Sequence, residues 1–367
     1  GFFGYWLLSL FDLLDRQGLD LKVCVLSREP DAFLARAPFF IRAPWLEWQQ
    51  GDIKDFGAVP ASDLLIHAAT DTDAAAHRHP LAIMDDILLG TRQTLARARE
   101  AGVRRALYVS SGAVYGRQPA EVEHIAEDAA FACDPMHPGS AYGEAKRAAE
   151  QWCLQYGLQH DIAIPVARCF AFVGATLPLD GHFAIGNFIR DALAGQTIQV
   201  GGDGSPLRSY LYGADLAIWL LALLLRGQHG RAYNVGADQA VSIAELAHRV
   251  RDTLAPDVQV HIACGHDGLF PEAKACPITD DTERQAGAGF AERARNATAD
   301  RNLRRSFRGA MDFLQAKRAA QFPDTAEFDD LRPSGELLAD QLRAARVPAS
   351  FRPPTPPTRS RSPAPSV

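Results

Sequence analysis

Tyr142 and Lys146 stand four residues apart in SAYGEAKRAAE, residues 140–150, a stretch whose composition predicts a helix. At that spacing both side chains project from one face. A phenol loses its proton near pH ~10, so service as a base at neutral pH asks for a drop of about three pKa units, roughly 4 kcal/mol. A neighbouring ammonium favours the phenolate and supplies part of that stabilisation. Ser111 lies thirty-one residues upstream, at the end of the apolar run RALYVSS, residues 105–111. Its hydroxyl is placed to hydrogen-bond a substrate oxygen and to hold the phenol. Y-x-x-x-K alone arises by chance on solvated helix faces; Ser111 upstream gives it meaning. Such a trio suits proton transfer to and from a carbon-bound oxygen.

These groups need a scaffold, and the chain supplies an alternating one. Buried-strand patterns occur at LKVCVLS (21–27), more weakly at LEW (46–48), and at DLLIHAA (63–69), RALYVSS (105–111) and IAIPVARCF (162–170). Helical patterns at 5–16, 80–101 and 140–157 lie between them. Continuous apolar strands alternating with helices predict an α/β fold, a doubly wound parallel sheet covered on both faces. Ligands of such a sheet bind beyond the carboxyl ends of its strands, where Ser111 falls. From 171 to 265 glycine and proline increase, and helices at 183–194, 213–226 and 242–253 predict a smaller substrate-binding lobe. Residues 266–350 carry helical patches without a strand pattern. Residues 351–367 hold six prolines and no acid, so a disordered tail is expected.

Composition excludes several function classes. A net charge of −6 and a pI near 6.0 give no electrostatic case for nucleic acid or an anionic membrane. The longest apolar run, LAIWLLALLL at 216–225, is too short to span a bilayer. The six cysteines are scattered without a C-x-x-C pair, which suits free thiols in a reducing compartment and makes the cytoplasm the default location.

Gly1-x-x-Gly4, Asp52-Ile53, His67-Ala68-Ala69, Ser111, Tyr142-x-x-x-Lys146 and Arg208 follow one another in the order of the extended short-chain dehydrogenase/reductases. Over about residues 1–250 the chain resembles the NAD-dependent epimerase/dehydratase family acting on nucleotide sugars. The resemblance implies a Rossmann-like fold, an NAD or NADP cofactor and a nucleotide-diphosphate sugar substrate. It also implies a homodimer built through the helices at 80–101 and 140–157. By the same resemblance Gly1 and Gly4 are the second and third glycines of the loop beside the cofactor pyrophosphate, a role that fits the absence of a Cβ and the anion affinity of a helix N-terminus. The first glycine and first strand of that pattern are not in this sequence, so a start about ten residues inside the family's pattern is expected.

Further roles are carried over residue by residue. Asp52 and Ile53 flank the adenine, and Ala68 and Ala69 line the cofactor backbone. Lys146 holds the nicotinamide ribose, Tyr142 is the base, and Arg208 grips the substrate diphosphate as an Arg fork suits. Asn187 is the polar candidate on the helix lining the nucleotide pocket, and Asp215 opens the next helix as an acid or an N-cap. His67 reads as a structural strand-end residue. NAD-using relatives carry an acid where this chain has Ser27-Arg28, and an Arg there can pair with a 2′-phosphate, which tips the choice slightly toward NADP.

Two departures narrow the chemistry. Ala171 replaces an asparagine that contacts substrate phosphates. Gly112 and Ala113 replace a pair that includes an acid in sugar-nucleotide dehydratases, where elimination needs a second proton-transfer group. The reading is therefore an epimerase acting at a sugar carbon, C4, with a 4-ketoreductase or dehydrogenase as the alternative. A cofactor-binding fragment without turnover is the alternative from another class.

Overall fold

The computed structural model describes residues 1–263 apart from residues 17, 71–77, 120, 121, 123, 182 and 238. The expectations for residues 266–350 and for the tail lie outside the described residues. Helix α1 (Phe2–Arg16) precedes β1 (Val23–Ser27), α2 (Pro30–Arg36), β2 (Leu46–Gln50), β3 (Leu64–His67) and the long α3 (Pro80–Glu100). Strand β4 (Arg105–Ser111) leads to α4 (Ala141–His160), β5 (Val166–Cys169) and β6 (Ala171–Val173). The remainder is α5 (Ala184–Leu193), β7 (Ile198–Val200), β8 (Leu207–Tyr212), α6 (Gly213–Arg226), β9 (Ala232–Val235), β10 (Ala240–Ser242), α7 (Ile243–Leu254) and β11 (Val260–Ile262).

Strands β3, β4, β5 and β9 form one parallel sheet in the order β3-β4-β5-β9. Strands β1 and β2 form a separate parallel pair. One continuous sheet is the sequence expectation; instead β1 and β3 each have a ladder partner on one side only. Their unpaired edges border the main cleft, and Leu64 on β3 stays 41% exposed despite sitting in an apolar run. Smaller sheets order β10-β8-β6 and β11-β7.

Helix α1 is the apolar anchor of one face. Tyr5, Trp6, Leu7, Leu8, Leu10, Leu13 and Leu14 are buried, and α1 packs on α6, whose Leu216, Leu220 and Leu224 are also buried. Each such side chain contributes about 1.5–3 kcal/mol on burial. On the other face α3 packs along α4 through Ile87, Leu95, Ala149 and Cys153, with Leu89 and Trp152 left exposed. Ser242 caps α7 by accepting from the Glu245 amide at 3.1 Å, the start of an S-x-x-E box. Asp215 is no N-cap: Tyr212 holds that position, and Asp215 sits in the first turn of α6. No helix among the described residues is long and apolar enough to cross a membrane.

Candidate active site

The parallel register sets Ser111 at the end of β4 beside Cys169 at the end of β5, and Ser110 beside Arg168. Helix α4 lays Tyr142 and Lys146 against that edge. The Ser111 hydroxyl accepts from the Ala113 amide at 3.2 Å and donates toward the Tyr142 phenol. That bond favours the phenolate, but burial outweighs it and holds the phenol above its ordinary value.

Lys146 is 3% exposed. Its ammonium donates to the Val109 carbonyl and to the Thr70 hydroxyl, each at 2.9 Å. It lies 5.0 Å from the centre of the Tyr108 ring and 6.0 Å from that of Tyr142. Burial pulls its pKa from 10.5 to about 8, against the opposing pull of Cys169, Cys153 and Glu150. The sequence expectation that Lys146 lowers the Tyr142 pKa is not met in this state. The ammonium is turned to Val109 and Thr70, and burial of the phenol prevails.

His67, at the end of β3, is buried and bonds Thr91 through Nε2 at 2.9 Å. Burial, then the nearby Lys146 charge, pushes it down to about 3, so it is a neutral strand-end residue.

A cleft of about 4890 Å³ follows the open edges of β1 and β3 and reaches the carboxyl ends of β4 and β5. Ser111, Tyr142 and Lys146 line it. So do Gly1 and Gly4 at the start of α1, Ser27 and Arg28 after β1, Asp52 and Ile53 after β2, and Ala68 and Ala69 after β3. A Cβ at Gly1 or Gly4 would meet no atom within 4 Å, so the groove beside the α1 N-terminus has room for a pyrophosphate. The first turn of α1 carries no acid to repel one. Ser27 accepts from the Glu29 amide at 3.2 Å, and Arg28 is exposed. These residues fit a nicotinamide dinucleotide. Among the described residues no cluster of His, Cys, Asp or Glu could hold a metal ion.

The substrate side is less complete. Arg208, on β8, lines the cleft and is exposed, its guanidinium folded back on the Leu207 carbonyl at 2.7 Å. Asn187 does not line the cleft; its side-chain oxygen accepts from Arg190, one turn on along α5, at 3.2 Å. Ala171 lines the cleft.

Three features escape the sequence reading. Thr70 completes the Lys146 site. Phe170 faces the cleft, 39% exposed, stacked on Tyr115 at 6.4 Å. A Cβ at Gly112 would come within 2.7 Å of the Phe170 ring, so an acid at that position would displace the ring. The third is an acid–base network behind Ser111, centred on Glu150. Its position four residues after Lys146 on α4 was the available signal.

Residues 1–236 match the NAD dependent epimerase/dehydratase family. UDP-glucuronic acid decarboxylase 6 of Arabidopsis thaliana is 30% identical over 200 residues, 54% of this chain and 57% of that protein. The chain spans about half the length of the curated relatives it matches. The fold is that of the dTDP-glucose 4,6-dehydratase DesIV of Streptomyces venezuelae, solved with NAD bound (TM-score 0.64, 21% identity, 87% of this chain and 95% of that one). It is also that of the UDP-glucose 4-epimerase of Thermotoga maritima, solved with UDP-glucose (TM-score 0.58, 18% identity, 75% and 87%).

Proposed function

The chain belongs to the NAD dependent epimerase/dehydratase family, and from that premise we propose that it is a nucleotide-sugar epimerase acting at C4 of the sugar. One observation carries the reading: Ser111 and Tyr142 are hydrogen-bonded to each other on the wall of the cleft, with Lys146 one turn further along the same helix. The dinucleotide would be held by Gly1, Gly4, Asp52, Ile53, Ala68 and Ala69, with Lys146 on its ribose. When bound, it supplies the acceptor and donor of hydride.

The chain's own residues manage the proton. Tyr142 takes it from the C4 hydroxyl as the C–H electron pair leaves, and a ketone results. Ser111 donates to the same oxygen, holding it in line with Tyr142 and stabilising the charge that develops there. Lys146 turns from Val109 and Thr70 toward the ribose and brings its charge to the phenolate. Arg208 unfolds from the Leu207 carbonyl to pair with the diphosphate. If the ketone turned its other face before hydride returned to C4 and the Tyr142 proton to its oxygen, the configuration at C4 would invert. If the ketone leaves, the net reaction is a dehydrogenation or, in reverse, a ketoreduction. Ser27-Arg28, without an acid to grip ribose hydroxyls, favours that second reading and NADP.

The Gly112–Phe170 contact supports either reading over dehydration, because no acid stands beside Ser111 to assist loss of water. The test is incubation with NAD and, in turn, UDP-glucose, UDP-galactose, UDP-glucuronate and dTDP-glucose, with products read by NMR. Interconversion of the C4 epimers is expected. Tyr142→Phe should lower it by about 10²–10⁴-fold while leaving cofactor binding intact. Loss of the sugar carboxylate or of water as the main reaction would refute the epimerase, and a Tyr142→Phe variant of near-normal rate would refute the mechanism.

A further inference from the structure

A row of polar side chains crosses the sheet just beneath its catalytic edge. The register aligns Ser110 on β4 with Arg168 on β5, and Arg168 with Asn234 on β9. Each stands one residue before the end of its strand, and aligned neighbours share one face of a sheet. Two elements cover the row. Over Ser110 and Arg168 lies α4, whose Glu150 accepts from Ser110 Oγ at 2.6 Å and from Arg168 Nη2 at 2.7 Å. Over Arg168 and Asn234 lies a strap, residues 124–133, that is neither helix nor strand.

Asn234 fastens the strap twice. Its backbone N–H donates to Glu127 Oε1 at 3.1 Å, and its side-chain Nδ2 donates to the Ile125 carbonyl at 2.7 Å. The amide is oriented from behind: Oδ1 accepts from the hydroxyl of buried Tyr115 at 2.8 Å, so oxygen and nitrogen cannot exchange places. Arg168, seated 4.7 Å from the centre of the Tyr115 ring, adds a third tie, Nη1 to the Glu127 carbonyl at 3.2 Å. The far end is fixed as well. Cys133 Sγ donates to the Ala113 carbonyl at 3.0 Å, and a Cβ at Gly116 would lie 2.5 Å from the Ala132 carbonyl oxygen.

The strap borders the substrate side of the site. Its His124 and Ile125 line the cleft, as do Asn234 and Tyr142. The Phe170 ring, which faces Gly112 beside Ser111, stacks on Tyr115, and Phe170 also packs against Gly236, two residues beyond Asn234. A Cβ at Gly236 would meet Ser209 Oγ at 3.2 Å, next to Arg208. The span from Ser111 to Arg208 therefore runs over Phe170 and Gly236, past the strap. With C4 at Tyr142 and the diphosphate at Arg208, the sugar occupies that span.

We propose that residues 124–133 form the sugar-facing wall of the site and that Asn234 is the positioning residue that latches this wall to the sheet. The wall rests on the nucleotide-sugar reading. The latch is read in the free chain, so the two can fail separately.

The first readout is amide hydrogen exchange of the full chain without ligand, followed by mass spectrometry. Asn234→Asp keeps the size of the side chain, removes the Nδ2 donor and sets a negative charge beside the Ile125 carbonyl and the Glu127 carboxylate. Exchange across residues 124–133 should quicken by about fivefold or more, while α4 and β4 keep their wild-type protection. The second readout is calorimetric titration of the NADH-loaded chain with UDP-glucose and, separately, with UDP. Asn234→Asp should weaken UDP-glucose by about fivefold or more and leave UDP and NADH unchanged. Tyr115→Phe, which removes the bond that orients the amide, should show the same pattern more weakly. A merely structural role would speed exchange throughout the sheet and weaken UDP and NADH alongside UDP-glucose, and that result overturns the proposal. Unchanged exchange at 124–133 overturns the latch; quickened exchange with unchanged UDP-glucose affinity overturns the wall. A wild type that binds neither UDP-glucose nor UDP overturns the nucleotide-sugar reading and the wall with it, and the exchange result still decides the latch. If Asn234→Asp does not fold, Tyr115→Phe decides on both readouts.

Discussion

Lys146→Met replaces a buried ammonium with an unbranched apolar chain of similar length, and the consequence for stability is pH-dependent. In the folded chain burial holds the Lys146 pKa at about 8; in the unfolded chain it returns to the ordinary 10.5. Between those values the unfolded chain binds more protons, so the folded state gains stability as pH rises. The penalty of burying the charge is fully present below pH ~8 and gone above pH ~10.5. With Lys146 only 3% exposed, solvent screening takes little from it. The shift corresponds to about 3.4 kcal/mol at low pH, of which about 1.3 is recovered between pH 7 and 9 and about 2.5 by pH 10. Methionine carries no such dependence. The variant also leaves the Val109 carbonyl and Thr70 hydroxyl without their donor, a cost of about 1–3 kcal/mol that does not change with pH. Urea unfolding of both chains at pH 7, 8, 9 and 10 isolates the term, since every other titration cancels in the difference. The wild type should gain on Lys146→Met steadily across the series. Two parallel stability curves would refute the claim that Lys146 is held against its charge, and with it the account of why this lysine can change partners during turnover.

Arg208→Ala should raise KM for a nucleotide-diphosphate sugar by about tenfold or more with little change in kcat, the pattern of lost binding that serves ground and transition states alike; steady-state kinetics measures the split. Arg28→Ala should weaken NADPH more than NADH in a fluorescence titration, since only the former offers a 2′-phosphate to a guanidinium; equal weakening would remove Arg28 from cofactor choice.

Much of the scaffold is legible because periodicity reports burial. The helices at 5–16, 80–101 and 140–157 fall where α1, α3 and α4 form, as do those predicted in the second lobe. The strand read at 162–170 shortens to Val166–Cys169, because Pro165 has no amide to donate and the chain leaves this sheet at Phe170 to pair with β8 as β6. Strands 21–27 and 63–69 read as fully covered, yet each keeps an open edge. Apolar composition says that a strand needs cover without naming the neighbour that supplies it.

The site divides along the same line. Ser111, Tyr142 and Lys146 were readable because strand-end position and i,i+4 spacing are local properties. The state of Lys146 was not, because its acceptors Val109 and Thr70 lie 37 and 76 residues away and only folding brings them near. Asn187, the polar candidate on the helix expected to line the nucleotide pocket, has its side-chain oxygen held by Arg190, three residues on. Gly112 shows how a local departure acquires meaning from a distant contact. In the sequence it is a missing acid; in the fold it makes room for the Phe170 ring, and replacing it would cost that ring its place. With the Phe170 ring seated against Gly112, the fold supports the proposal of proton and hydride exchange at one carbon over elimination of water.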